Sequence, residues 1–157
     1  MHKHHLLILN TLLILLMLCI GSVVSATISS QQQIILQEIN SYRLKHHLRP
    51  LQINNIITHE AQIHSTNMAK KIIPFSHTNF NQRIQHIYAK IHNCKHGAEN
   101  IAYFPPKVSP REVVKLWLIS SLHRRNINGN YNLTGIGITT DKRGWIYYTQ
   151  TFIYADA

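Results

Sequence analysis

Histidine and glutamate stand at four places in this 157-residue chain where their neighbours could make them chemically useful. The first is His59-Glu60-Ala-Gln-Ile-His64. A zinc-hydrolase helix needs H-E-x-x-H, because residues i and i+4 share a helical face. Here the spacing is i, i+5, which turns the second imidazole about 140° around the axis. The two histidines therefore cannot share a metal, and His64 reads as a histidine at the edge of the core. The second place is Phe75-Ser76-His77-Thr78, where His77 taken alone is a surface-loop histidine. Ser76 beside His77 is not a nucleophile–base pair, since adjacent side chains rarely face each other and a base must lie within hydrogen-bond reach. The third is His96-Gly-Ala-Glu99-Asn-Ile-Ala102, where Glu99 alone reads as a solvated loop acid. The fourth is Leu122-His123-Arg-Arg-Asn-Ile127. A histidine ending a helix there would interact favourably with the helix dipole. Only six carboxylates exist: Glu38, Glu60, Glu99, Glu112, Asp141 and Asp156. Any acid-dependent site draws on these.

Four helical stretches and a β-rich end must position these groups. Residues 29–46 form a helix with Ile28, Ile35, Ile39 and Tyr42 on one stripe, ended at Arg49-Pro50. Residues 56–71 form a second, capped by Asn54 or Asn55, with Ile57, Ala61, His64 and Met68 on one face and Pro74 as breaker. A short helix covers about 81–90. Residues 95–103 are extended or loop-like, and Pro105-Pro106 is a break. Ser109-Pro110-Arg111-Glu112 starts the fourth helix as a capping box with proline at N1. Its apolar face is Val113, Val114, Trp117 and Leu118, and His123 is expected near its end. Gly135–Thr140 and Trp145–Ile153, joined at Asp141–Gly144, read as an antiparallel hairpin. The expected class is α+β.

Sixteen basic residues against six acidic ones give a formal charge of +10. Such a surface favours anionic partners. The cations are scattered, as at Lys70-Lys71, Arg124-Arg125 and Lys142-Arg143, with no basic block interleaved with aromatics, so nucleic acid is not expected. The chain opens Met1-His-Lys-His-His, runs apolar from Leu6 to Ile20 and reaches Val24-Ser-Ala26. That is the pattern of a secretory signal peptide cut after Ala26. Its apolar run falls short of the ~20 residues of a spanning helix. Leu18 before Cys19 argues against lipidation. The expected organisation is residues 1–26 as signal peptide and 27–157 as one exported domain. With Cys94 as its single cysteine, that domain has no internal disulfide. Asn132-Leu-Thr134 would be a glycosylation acceptor only in a eukaryotic secretory pathway.

Taken in series, these segments resemble a known family. The helix over Ile34–Arg43 with its I-N-x-x-R ending, Ala61–Met68, Phe75-Ser-His-Thr78, Gly97-Ala-Glu-Asn-Ile-Ala102, Val113-Val-x-x-Trp117, His123-Arg-x-Asn-Ile127, Gly135-Ile-Gly137 and Tyr148-Thr-Gln150 follow the order of the CAP superfamily (cysteine-rich secretory, antigen 5, pathogenesis-related-1 proteins). The similarity extends over about residues 34–153, and the bacterial SCP-like secreted branch is nearest. The resemblance implies a three-layer α-β-α sandwich with a small antiparallel sheet between helical layers. It also implies a cleft to which His77, Glu99 and His123 contribute. Where the eukaryotic branch has a second Glu this chain has Ser120, and where it has a second His this chain has Tyr147. The full eukaryotic tetrad is therefore absent, and Ser120 and Tyr147 are expected to line the cleft instead.

Two imidazoles and a carboxylate could hold Zn²⁺ with an open position, with His77 and His123 as ligands. Alternatively, Glu99 bonds one imidazole and the cluster binds an anionic or polyol ligand, or Glu99 is purely structural and ties its loop to the last helix. The favoured expectation is an exported, monomeric, non-catalytic domain. Its ligand would be a lipid, an envelope component or a metal, at the cell envelope, in the periplasm or outside the cell, with no membrane span once the leader is cut. The rivals are a metal-dependent hydrolase using Glu99 as base and a basic surface-interaction module.

Overall fold

The computed structural model describes residues 28–156, so the expected signal peptide lies outside the described residues. Helix α1 (Ser30–Lys45) is opened by a capping box between Ser29 and Gln32. Ile35 and Ile39 are fully buried on its inner stripe. It stops short of the proline, because His47 adopts a left-handed φ of 58° that no α-helix continues through. Strand β1 (Gln52–Ile53) leads into helix α2 (Asn55–Ala69). Of the two asparagines, Asn54 is the cap, its Oδ1 accepting from the Ile56 and Ile57 amides. Helix α3 (Phe80–Tyr88) and strand β2 (Cys94–Phe104) follow. Helix α4 (Pro110–Ile119) has the expected Ser109–Glu112 capping box. Helix α5 (Ser121–Ile127), then strands β3 (Leu133–Thr140) and β4 (Ile146–Ala155), complete the chain.

One expectation fails here. His123 does not end the fourth helix but lies in the separate α5, because Ser120 takes an extended ψ of 121° and turns the chain. The Ser120 carbonyl then accepts from the Arg124 amide as the new helix begins.

The sheet has the order β1-β3-β4-β2. β1 pairs with β3 in parallel, and the other pairings are antiparallel. β4 is central and buried along nearly its whole length. Strand alternation sends its neighbours' side chains to two helical layers. Ala98, Ala102, Ile136, Tyr148 and Phe152 face α1, α4 and α5, forming a core with Ile35, Ile39, Val113, Val114, Trp117 and Ile127. The opposite face carries Glu99, Ile101, Thr149 and Thr151, and α2 and α3 cover it. The fold is thus the expected α+β, three-layer α-β-α sandwich.

α2 lies unusually close to the sheet. A Cβ on Gly137 would sit 2.2 Å from the Ala61 carbonyl oxygen, and one on Gly135 2.2 Å from the Ile57 carbonyl carbon. Gly-x-Gly in β3 therefore lets the helix backbone rest on the strand. Ser65 reinforces the contact, its hydroxyl donating to Gly137 O and reaching Thr149 Oγ1 at 2.8 Å. This seating fixes the depth at which α2 carries His64. Asn132 uses both ends of its amide on Ala155, at 2.7 and 3.0 Å, to close the C-terminus. Its part is structural.

Candidate functional site

β2 is an edge strand, and its consecutive residues Glu99 and Asn100 are buried and point to opposite layers. Glu99, a solvated loop acid on its local sequence, is instead a strand residue, 5% exposed and directed at α2 and α3. Arg83 from α3 grips it with two bonds, Nε to Oε2 at 3.0 Å and Nη2 to Oε1 at 2.6 Å. His77 Nδ1 lies 2.9 Å from Oε1. Burial alone would raise the Glu99 pKa, but the bonds from His77 and Arg83 outweigh it and hold the carboxyl below its ordinary range. The carboxylate can only accept, so the His77 Nδ1–H donates. His77 Nε2 is left for solvent or a ligand, on a side chain that is 52% exposed.

The loop carrying His77 is clamped on both sides. His64 Nε2 donates to the Ser76 carbonyl at 3.0 Å, and Arg83 Nη1 donates to the Thr78 carbonyl at 2.6 Å. The carbonyl bond fixes the His64 tautomer, with its proton on Nε2. His64 is only 1% exposed, deeper than a core-edge residue. Burial lowers its pKa; Glu99 pulls the other way, but Arg83 adds to the lowering. Its 3.8 Å approach to Glu99 is therefore that of a neutral imidazole. The expected separation from His59 holds, since His59 is exposed while His64 is buried. Ser76 is no nucleophile partner for His77, because its hydroxyl is bonded to Thr78 Oγ1.

From the other layer, Asn100 Nδ2 donates to the His123 carbonyl at 3.1 Å. Asn126 Nδ2 donates to the Glu99 carbonyl at 3.1 Å and to Asn100 Oδ1 at 2.8 Å. These bonds stitch α5 across the open edge of β2. The half-buried His123 ring stands 6.3 Å from that of Trp117. Its pKa is lowered by burial and, in second place, by the charge of His77. The structure thus joins His77 to Glu99 directly, whereas among the described residues the His123 side chain bonds to neither.

Ser120 marks the α4–α5 corner and makes no side-chain capping bond. Tyr147 is not brought to the carboxylate. Its register partner is Tyr103, four residues beyond Glu99, or roughly 13 Å along the strand. It stacks on Tyr103 at 5.5 Å and packs edge-on against Phe75 at 6.5 Å. Arg83 escapes the sequence reading altogether, yet a signal exists. Phe80, Ile84 and Ile87 form the inner stripe of α3, and Arg83 falls on it.

The donor set is a poor fit for Zn²⁺. Both Glu99 oxygens are engaged by Arg83, and among the described residues no group of three His, Cys, Asp or Glu side chains converges. Cys94 is a free, half-buried thiol, and burial raises its pKa away from reactivity. A shallow cleft of about 280 Å³ opens beside His77 and Glu99, floored by Gly97 and Ala98 and edged by Phe80. Phe75 and Leu122, close in sequence to the two histidines, are 42% and 65% exposed.

Residues 36–152 match the profile of the Cysteine-rich secretory protein family, CAP. The chain belongs to that family. This CAP domain is 32% identical over 130 residues to the uncharacterized protein YkwD of Bacillus subtilis (strain 168), covering 82% of the chain and 49% of that protein. It therefore spans about half the length of this curated relative. An outer surface protein from Borrelia burgdorferi shares its fold with a TM-score of 0.69 at 19% identity, covering 80% of the chain and 93% of that structure. An extracellular SCP-domain protein of Bacillus anthracis str. Ames gives 0.60 at 26% identity, covering 83% and 45%. The chain is thus a CAP domain of the bacterial, SCP-like type. Among the described residues no helix is long and apolar enough to cross a membrane.

Proposed function

We propose that the cleft holds, rather than hydrolyses, an amphipathic molecule of the cell envelope. The observation that carries this reading is the commitment of Glu99. Both its oxygens are bonded to Arg83, and a carboxylate held in that way is a poor general base. What remains for a ligand is the outward nitrogen of His77, and His123 is the second imidazole that this reading recruits. These groups suit a hydroxyl-bearing or anionic head group, and exposed Phe75, Tyr103, Ile119 and Leu122 suit an apolar body. On this reading residues 1–26 are the leader that exports the domain 27–157, which acts as a monomer in the periplasm, at the envelope or outside the cell.

The test is titration with lysophosphatidylglycerol below its micelle concentration, followed by His77 and His123 NMR signals. Saturable binding that weakens at least about tenfold in both H77A and L122S, with the lipid recovered intact, is the expected result; tenfold corresponds to ~1.4 kcal/mol. Cleavage of the lipid, abolished by E99Q, would overturn the reading in favour of a hydrolase. Calorimetry with Zn²⁺ addresses the metal alternative: one site lost in both H77A and H123A would replace the lipid reading.

A further inference from the structure

We propose that a second site, a basic groove between the end of α2 and the β3–β4 turn, binds the phosphate groups of an anionic polymer. Two dibasic pairs that are remote in sequence, Lys70-Lys71 and Lys142-Arg143, line the same groove of about 610 Å³. Its one acid is Asp141. That carboxylate is already taken by the amides of Arg143 at 2.8 Å and Trp145 at 2.9 Å and by the Arg143 guanidinium at 3.3 Å.

Among the described residues no other acid is left for these lysines. Glu38 pairs with Arg111, Glu60 with His86 and Lys90, Glu99 with Arg83, and Asp156 with Lys95. Glu112 is spent on the Ser109 cap. Among the described residues Lys70, Lys71 and Lys142 therefore form no ion pair, so an anionic ligand in the groove would meet no competing carboxylate on them. Lys71 also sits at a left-handed φ of 58°, just past the C-cap of α2. Glycine is the residue that adopts this conformation without strain, yet a cation stands there.

The chemistry of the groove selects among polyanions. Lysines hold phosphate as point charges, and the Thr140 side of the groove adds a hydroxyl. The lining holds no aromatic ring, so bases have nothing to stack on and nucleic acid gains nothing over any other phosphodiester chain. A concave groove suits a linear polymer better than a flat bilayer. The site is separate from the cleft. Thr139 and Thr140 pair with Tyr147 and Ile146, placing the groove roughly 15 Å along the sheet from Glu99.

The test uses poly(glycerol phosphate) as the probe, titrated into the folded protein at about 50 and 200 mM salt, a range over which phosphate binding weakens steeply. The triple variant K70Q/K71Q/K142Q keeps Arg143 and hence the Asp141 turn. It is expected to bind at least about tenfold more weakly, whereas the charge-matched control K45Q/K115Q/R125Q should lose less than about threefold. H77A should bind the polymer as the wild type does. Equal losses in both triples would overturn the proposal, since binding would then be diffuse attraction to net charge. No binding by the wild type at low salt would also overturn it. So would phosphatidylglycerol vesicles binding where the soluble polymer does not, or a charge-matched single-stranded oligonucleotide binding far more tightly than the polymer.

Discussion

Two arginines of this domain are buried, Arg43 at 1% exposure and Arg83 at 7%, and their surroundings differ in kind. Arg43, on α1, meets only neutral acceptors. Its guanidinium donates to the carbonyls of Arg49, Ile127, Gly129 and Tyr131 at 2.6–3.0 Å, tying the α1–β1 loop to the end of α5 and the loop that follows it. Arg83, on α3, meets a full negative charge on Glu99 and one carbonyl, Thr78. The first is a rivet. The second cancels a charge at the floor of the cleft while aiming a histidine outward. Carbonyls that lose a donor can be rewetted through the open pocket of about 470 Å³ beside Arg43. A carboxylate that loses its cation stays stranded.

The largest effect is therefore expected at Arg83. R83M should cost about 3–5 kcal/mol at pH 7, the usual penalty for leaving one buried charge without its partner. The loss should shrink in acid. Without Arg83, burial is opposed only by the His77 bond and the weaker pull of His64, so the folded pKa of Glu99 is expected to rise above its ordinary value, and proton uptake on folding then restores stability as pH falls. R83M/E99Q should recover much of the loss at pH 7. Urea unfolding of the two variants between pH 7 and 5 measures both effects. A deficit in R83M that does not change between pH 7 and 5 would mean that Glu99 keeps one protonation state across that range, and the contrast with Arg43 would vanish.

R43M comes next, at about 2–3 kcal/mol, from several neutral acceptors left short of a donor. This deficit should not vary between pH 7 and 5, because no carboxylate faces the guanidinium. It should appear with the cleft signals of His77 unchanged, since Arg43 holds the opposite layer.

Much of the framework around these two arginines is legible in the sequence, and the illegible part has a common cause. The stripe Ile57, Ala61, His64, Met68 places His64 inward, and the Ser109–Glu112 box fixes the start of α4, because both are local patterns. The pairing of His77 with Glu99 comes only through the family resemblance. Glu99-Asn100 breaks the alternation expected of a strand, so β2 reads as a loop around them. Each polar residue is in fact satisfied by a different layer, which no local pattern encodes. Arg83 is on an apolar stripe, but a long side chain there can equally snorkel to solvent. Only the position of Glu99, in another element, decides the matter. The turn at Ser120 carries neither proline nor glycine, and so the α4–α5 break leaves no mark in the sequence.

A third, smaller effect separates the interior imidazoles from the outer one. Burial lowers the pKa of both His64 and His123 from the ordinary 6.5. For a base the sign is direct: the unfolded chain takes up protons near pH 6.5 that the folded one refuses, so stability falls as pH drops through that value. Glu99, held below its ordinary 4.5, adds a second loss as pH falls past that point. Chemical denaturation from pH 7.5 to 5.5 should show the first decline, and H64Q should flatten it. An undiminished slope in H64Q would assign the titration elsewhere.

His77 should give the smallest stability change and the most selective functional one. Its ring is half exposed, and its bond to Glu99 stands beside two charge-assisted bonds from Arg83 that remain when it is removed. H77A should therefore move unfolding by no more than about 1 kcal/mol, within the ordinary range for a surface position that loses one hydrogen bond. The Ser76 and Thr78 carbonyls keep their donors, His64 and Arg83, so the loop backbone should stay where it is. Loss of amphiphile binding in a variant this stable would place recognition at the outward imidazole nitrogen. If H77A instead destabilises as much as R83M, the histidine is part of the clamp, and the division between a charge-cancelling floor and a ligand-facing ring does not hold.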